Sequence, residues 1–353
     1  MGNQPRESGP GVSRRQFIGR AASAPVAAAL WPQQQPGGAA MPTRDRKGAP
    51  TKQKLMACLG GPWPDYGPLR PIVEQTTQKD GYRLERITYL VEPGERIAAY
   101  LLVPDAAASG PRPGICVWHQ HNGAYPIGKA EPAGLEGAAM HHTGVALARE
   151  GYVVLCPDAA GFGERNQRGA LNGRNLEHYL FAMQIVAGKS LAWKNIADMR
   201  RAVDYLASRP EVDGSRLGCY GHSMGSTHTW MVGPWEPRLK ALVANCCLPT
   251  YAAMERTDLI HCFPNYVPGW REVGDTPDIA AMIAPRALHL NFGETDSGSP
   301  IAEVKKAVDH IGRAYAARGA RDHFSYYIEP GSGHVLSDEM ARRMLAHFKT
   351  YLA

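Results

Sequence analysis

Six short apolar runs recur along the last two thirds of the chain: Gly114 to Trp118, Tyr152 to Cys156, Leu217 to Tyr220, Ala241 to Cys246, Ala287 to Asn291 and Phe324 to Ile328. They are apolar at consecutive rather than alternate positions, as strands buried on both faces require. Between them, Gly137 to Glu150, Ser190 to Ser208, Pro300 to Ala317 and Ser337 to Tyr351 carry apolar residues at helical spacing. In the second, Leu191, Ile196, Met199, Val203 and Leu206 make one apolar stripe. Strands alternating with helices predict a parallel sheet covered on both faces by right-handed crossovers. Upstream, Tyr82 to Val91 and Arg96 to Val103 read as an antiparallel hairpin around Glu92-Pro-Gly-Glu95. The sum is an α/β fold with a mostly parallel sheet of about eight strands. Two stretches stand outside this rhythm. Residues 51–81, with a Trp and Pro-rich segment and a short helix, read as an N-terminal arm, and 247–283, which contains Trp270, reads as an insertion that roofs a pocket.

The run Leu217 to Tyr220 leads directly into Gly221-His222-Ser223-Met224-Gly225, and a helix over Ser226 to Val232 is expected at once. A serine at the tip of such a strand-to-helix turn needs small neighbours, because a side chain at either glycine would meet the adjacent strand and helix. The helix N-terminus also offers backbone N–H groups and positive dipole charge to a developing oxyanion.

A serine hydroxyl attacks well only when a base takes its proton. The chain holds 13 histidines, so position has to choose among them. His334 lies in the Gly331-Ser-Gly-His334 loop between the last strand and the last helix, at the sheet edge where such folds gather functional groups. His228, His261 and His323 are less well placed, and His222, beside the serine, suits a pocket wall. Glu294 and Asp296 both follow the run Ala287 to Asn291 and either reaches the imidazole; Asp158 is a third carboxylate at that edge, read as loop architecture with an acid paired to Arg165.

Charge and composition narrow the partners. A net charge of +6, with Lys and Arg scattered after the first 50 residues, gives no footprint for nucleic acid. Seven cysteines leave at least one unpaired, and Cys116, Cys156, Cys219 and Cys246 sit in apolar runs where a thiol acts as a small hydrophobe. His119, His121, His141 and His142 lack the i, i+4 spacing of a paired helical ligand motif, so no metal or cofactor is expected. Ser13-Arg-Arg-Gln-Phe-Ile18 resembles a bacterial twin-arginine export signal. The alanine-rich run after it is too short for a membrane span, so stable membrane insertion is not expected. The expected division is a signal over 1–31, a Gln, Pro and Gly-rich linker over 32–50 and one domain over 51–353, delivered to the periplasm or beyond.

The chain resembles an α/β-hydrolase, and within that fold the bacterial dienelactone-hydrolase-like and acetyl xylan esterase-like proteins. The residues that carry the likeness are the serine elbow, Trp118-His-Gln-His-Asn-Gly123, Gly128-Lys-Ala-Glu-Pro-Ala-Gly134, Pro157-Asp-Ala-Ala-Gly-Phe-Gly-Glu-Arg165, Gly293-Glu-Thr-Asp296 and Gly331-Ser-Gly-His334. The likeness spans from about Tyr82 to the C-terminus. It implies the order Ser223, Asp296, His334 for nucleophile, acid and base, with Glu294 holding a loop. It also implies an oxyanion hole from the amides of Met224 and His121, although Gln120 stands where glycine is usual and is itself a second possibility as donor. Dienelactone hydrolases use a cysteine nucleophile, so Ser223 points to the esterase side. The expectation is a serine carboxylic-ester hydrolase for small acyl esters or acetylated carbohydrate. A peptidase or amidase on the same fold, and a non-catalytic binding protein, are the alternatives.

Overall fold

The computed structural model describes residues 51–92, 94–105 and 110–353, so the export signal and linker expected over 1–50 lie outside the described residues. The strands are β1 (Ile72–Lys79), β2 (Tyr82–Glu92), β3 (Glu95–Pro104), β4 (Arg112–Trp118), β5 (Val153–Pro157), β6 (Gln167–Arg168), β7 (Leu171–Asn172), β8 (Val212–His222), β9 (Leu239–Asn245), β10 (Ala287–Gly293) and β11 (Phe324–Glu329). The helices are α1 (Lys52–Leu59), α2 (Thr143–Arg149), α3 (Gly173–Val186), α4 (Leu191–Ala207), α5 (Met224–Val232), α6 (Tyr251–Thr257), α7 (Trp270–Val273), α8 (Thr276–Ala280), α9 (Ile301–Ala316) and α10 (Asp338–Leu352). Nine strands form the main sheet in the order β1-β2-β3-β5-β4-β8-β9-β10-β11, and β6 with β7 makes a separate two-stranded ladder. From β5 through β4 to β11 every neighbour is parallel; β1, β2, β3 and β5 are joined antiparallel.

The apolar runs are the inner strands. Every residue of β5 and β10 is buried, which is why neither shows alternation in the sequence. α4 buries the whole predicted stripe and is capped by Ser190 Oγ, which accepts from Trp193 N at 3.1 Å. Ser337 caps α10 in the same way.

The expected sheet of about eight strands is present with nine, the added one being the edge strand β1 from the second half of the expected arm. Its residues are mostly exposed, so no apolar face marked it, and its ladder to β2 is made by backbone groups alone. α3 was not predicted; only Leu176 and Glu177 of its 14 residues are buried. The helix expected from Gly137 starts instead at Thr143, after a left-handed Gly137 (φ 77) and a 3₁₀ turn over Ala139–His141. Cys246 lies just past β9, at φ 53, rather than inside a strand.

Trp270 of the insertion is 2% exposed and packs near Tyr251, so it is core. Ile260 of the insertion is exposed, whereas Pro264 and Asn265 are buried. Among the described residues no helix is long and apolar enough to cross a membrane. All seven cysteines are free thiols.

Buried histidines make this core sensitive to acid. His289 bonds Ser325 Oγ at 2.8 Å and Asn291 Oδ1 at 2.9 Å, and its ring lies 5.8 Å from that of His347. Burial first of all depresses both, His289 to about 4 and His347 to about 3, and likewise His228 to about 3. Each is therefore neutral in the fold while the unfolded chain takes a proton near pH 6.5. A depressed folded-state pKa gives stability that is whole above 6.5 and drains away as pH falls from 6.5 toward 4, at about 1.4 kcal/mol per pH unit per group. Urea midpoints are expected to fall steeply between pH 6.5 and 4.5; a flat midpoint over that range would show that these rings are not held neutral.

Candidate active site

β8 delivers Ser223 at φ 58, ψ −118 to the start of α5. Such a conformation costs an L-residue about 1–3 kcal/mol and is kept where the surroundings over-determine it. Here they do. Ser223 N donates to Asn245 O at 2.9 Å, and Ser223 O accepts from Thr227 N at 3.1 Å. A Cβ on Gly221 would lie 2.0 Å from Gly225 O, and one on Gly225 would lie 2.1 Å from Trp118 O. Both elbow glycines are thus demanded by close backbone approach.

Two loops at the same sheet edge bring the acid and the imidazole together. After β10, Glu294 N donates to Glu329 O at 3.0 Å, Thr295 N donates to Ser332 O at 2.8 Å, and Glu294 Oε2 accepts from Gly331 N at 2.9 Å. These bonds stitch the Asp296 loop to the His334 loop. His334 Nδ1 then donates to Asp296 Oδ2 at 2.8 Å, while Asp296 Oδ1 accepts from Gly298 N at 2.8 Å. Asp296 is 3% exposed and the His334 side chain 41%, so a buried carboxylate orients a ring that solvent and substrate reach. His334 Nε2 has no partner among the described residues. Of the two carboxylates left open by spacing alone, Asp296 contacts the imidazole and Glu294 contacts a loop amide.

His222 sits between two rings, 4.9 Å from His334 and 4.4 Å from His141. Asn245 Nδ2 donates to its Nδ1 at 2.7 Å and to Val335 O at 3.2 Å, which fixes the tautomer. Burial, followed by the neighbouring His141 and His334, holds His222 well below the ordinary histidine range, so it stays neutral beside Ser223. Asn245 was not foreseen; nothing in a lone asparagine at a strand end signals this work.

The loop after β4 faces the elbow across Gly225. His119 is buried, with Nε2 accepting from Ala159 N at 3.1 Å, so Nδ1 carries the proton and donates to Gln120 O at 2.8 Å. That carbonyl shares a peptide plane with the amide of His121, and in a trans peptide the two point opposite ways. His119 therefore turns the His121 N–H away from itself, and that amide has no acceptor among the described residues. The Gln120 side chain, the departure from glycine, is taken up by Glu131 Oε2 at 2.8 Å. Met224, the first residue of α5, leaves its amide outside the helix's own bonding.

Asp158 does not pair with Arg165 through its side chain. Its carboxylate holds Lys129 N at 2.8 Å and Lys129 Nζ at 2.7 Å, whereas Arg165 pairs with Asp198 at 2.8 Å and with Glu95. Lys129 comes from the Gly128 motif, so the two motifs quoted separately in the sequence lock to each other. His119 and His121 are committed to protein partners, His121 through Glu177 Oε2 at 2.9 Å. Cys246 Sγ lies with Asp296 and His334 in a group whose ligand atoms are within 4.8 Å of one another. Burial pushes that thiol up to about 12, which makes it a poor metal ligand.

A cleft of about 550 Å³ opens beside the loop after β4, with His121, Tyr125, Phe181, His261 and Phe263 among its lining. His261 closes the other side, its Nε2 2.7 Å from Gly298 O.

The chain is similar to known proteins in sequence and in fold. A Bacillus subtilis protein named for a hydrolase activity, YtaP, is 29% identical over 289 residues, covering 80% of this chain and 93% of that protein. In fold, a glucuronoyl esterase from Solibacter usitatus superposes with a TM-score of 0.61 at 16% identity, over 85% of this chain and 92% of that one. An acetyl xylan esterase from Paenibacillus sp. R4 does so at 0.56 and 17% identity, over 81% and 90%. The model of the Abhydrolase family matches residues 52–334. With its mostly parallel sheet and the elbow after β8, the chain belongs to that family of α/β-hydrolases.

Proposed function

We propose that this hydrolase is a serine carboxylic-ester hydrolase working through an acyl-enzyme. The observation that carries the reading is the 2.8 Å bond from His334 Nδ1 to Asp296 Oδ2, at the sheet edge that also presents Ser223 on a left-handed elbow. Ser223 Oγ attacks the acyl carbon as His334 Nε2 takes its proton. Asp296 keeps the ring in the Nδ1–H tautomer and steadies the imidazolium. The carbonyl oxygen gathers negative charge and is met by the amides of Met224 and His121. His334 returns the proton to the leaving alcohol; water then attacks the acyl carbon as the same nitrogen takes its proton, the bond to Oγ breaks, the proton passes to Oγ, and the carboxylic acid leaves. Small acyl esters and acetylated carbohydrate are the proposed substrates.

The test is a pair of measurements on the purified protein: labelling by a fluorophosphonate, located by mass spectrometry, and turnover of p-nitrophenyl acetate and longer acyl homologues. Label on Ser223 with ester turnover is expected. Folded protein that neither labels nor turns over would remove the reading and favour a binding role, while faster cleavage of aminoacyl anilides than of any ester would favour the peptidase.

Export through the twin-arginine route is a second proposal, resting on Arg14 and Arg15. Cell fractionation of the full chain beside an Arg14→Lys, Arg15→Lys variant is expected to trap only the variant in the cytoplasm; equal distribution would end the idea.

A further inference from the structure

The cleft beside the loop that carries His121 is walled by rings. Phe181 of α3 stacks on Phe263 at 4.8 Å, His178 lies over Phe263 at 5.8 Å, and Tyr125 packs edge-on to His121 at 4.9 Å. Faces of this kind suit a flat or pyranose ring in the substrate. The acid that lines the cleft is buried: Glu177 Oε2 accepts from Tyr125 Oη at 2.8 Å and meets His121 Nε2 at 2.9 Å, and its side chain is 3% exposed.

Arg174 lies three residues before Glu177 on α3 and lines the same cleft. It is exposed, and among the described residues it makes no ion pair and no hydrogen bond. That sets it apart from Arg165, Arg201 and Arg238, each of which is tied to a carboxylate. A guanidinium has five N–H donors and no acceptor, always carries its charge, and matches a carboxylate in a two-point fork. Glu177 keeps its negative charge but is buried and hydrogen-bonded, so the exposed charge on this cleft is the Arg174 guanidinium.

We infer that Arg174 selects the substrate: the preferred ester carries a ring, which lies against Phe181 and Phe263, and an ionised carboxylate on that ring, which Arg174 holds. The chemistry of this inference rests on the ester-hydrolase reading of Ser223; the binding does not.

The test uses matched probes, 4-acetoxybenzoate and its neutral analogue 4-acetoxybenzamide, with wild type and Arg174→Gln. Wild type is expected to favour the anion in kcat/KM by about tenfold, the usual scale of one charge-assisted contact. The preference is expected to shrink in 0.5 M NaCl and to collapse to near one in Arg174→Gln. An undiminished preference in Arg174→Gln, or a wild type that favours the amide, would overturn it. Calorimetric binding of 4-hydroxybenzoate and 4-hydroxybenzamide to Ser223→Ala, with and without Arg174→Gln, separates the two levels. Tighter benzoate binding that depends on Arg174, in a protein that turns over no ester, leaves the cleft inference standing and removes the ester reading. Equal binding of both probes removes the cleft inference whatever the turnover.

Discussion

Ser223→Ala is expected to lower kcat/KM for p-nitrophenyl acetate by about 10⁴ to 10⁶-fold while the protein still folds. The size follows from the role: without Oγ no acyl-enzyme forms, and what remains is an oxyanion hole around a bound ester. Folding should survive because the elbow is held by backbone bonds from Ser223 to Asn245 and Thr227 and by the tight contacts at Gly221 and Gly225, none of which uses Oγ. Kinetics beside a thermal melt check both halves. A loss under tenfold with an intact melt would place the nucleophile elsewhere.

Asp296→Asn is expected to cost about 10⁴-fold in kcat, and Glu294→Gln less than tenfold. The contrast comes from what each carboxylate touches. Asp296 accepts at both oxygens, from His334 Nδ1 and from Gly298 N. An asparagine has one oxygen to offer; if Gly298 keeps it, the amide nitrogen faces His334 and drives the ring to the Nε2–H tautomer, which cannot take the serine's proton. Glu294 accepts only from Gly331 N in this loop pair, so its amide analogue retains the contact. Steady-state kinetics on the two variants decide between the carboxylates. Comparable losses would mean that both act on the imidazole.

The elbow was legible because its tight turn leaves a residue signature, while the pairing of Asp296 with His334 was expected from loop position and from the resemblance. Glycine at 221 and 225 is there because a Cβ would strike backbone oxygen. The continuous apolar strands were legible because burial on two faces removes alternation. What escaped notice lacked such a cause in its own residues. β1 is defined by its partner's edge and shows mostly polar side chains. α3 buries two residues, so no stripe marks it, yet it carries both Glu177 and Arg174 into the cleft. Asn245 works through His222, and Asp158 through Lys129, contacts between residues 23 and 29 positions apart that spacing does not reveal. Trp270 was placed in a roofing insertion on aromatic content, but aromatic rings serve cores as readily as sugar faces, and this one is core.

The bridge that His119 makes between Ala159 and the Gln120 carbonyl has a thermodynamic consequence. A peptide that swings freely would have to be brought to rest each time a tetrahedral oxygen formed, and that loss of motion would appear in the activation entropy of every turnover. Here the ordering is completed once, when the chain folds, and is charged to the conformational entropy of folding. On the ester-hydrolase proposal the barrier to acyl transfer is then expected to be mainly enthalpic, with an Eyring intercept that changes when His119 is replaced by a residue unable to bond at both ends.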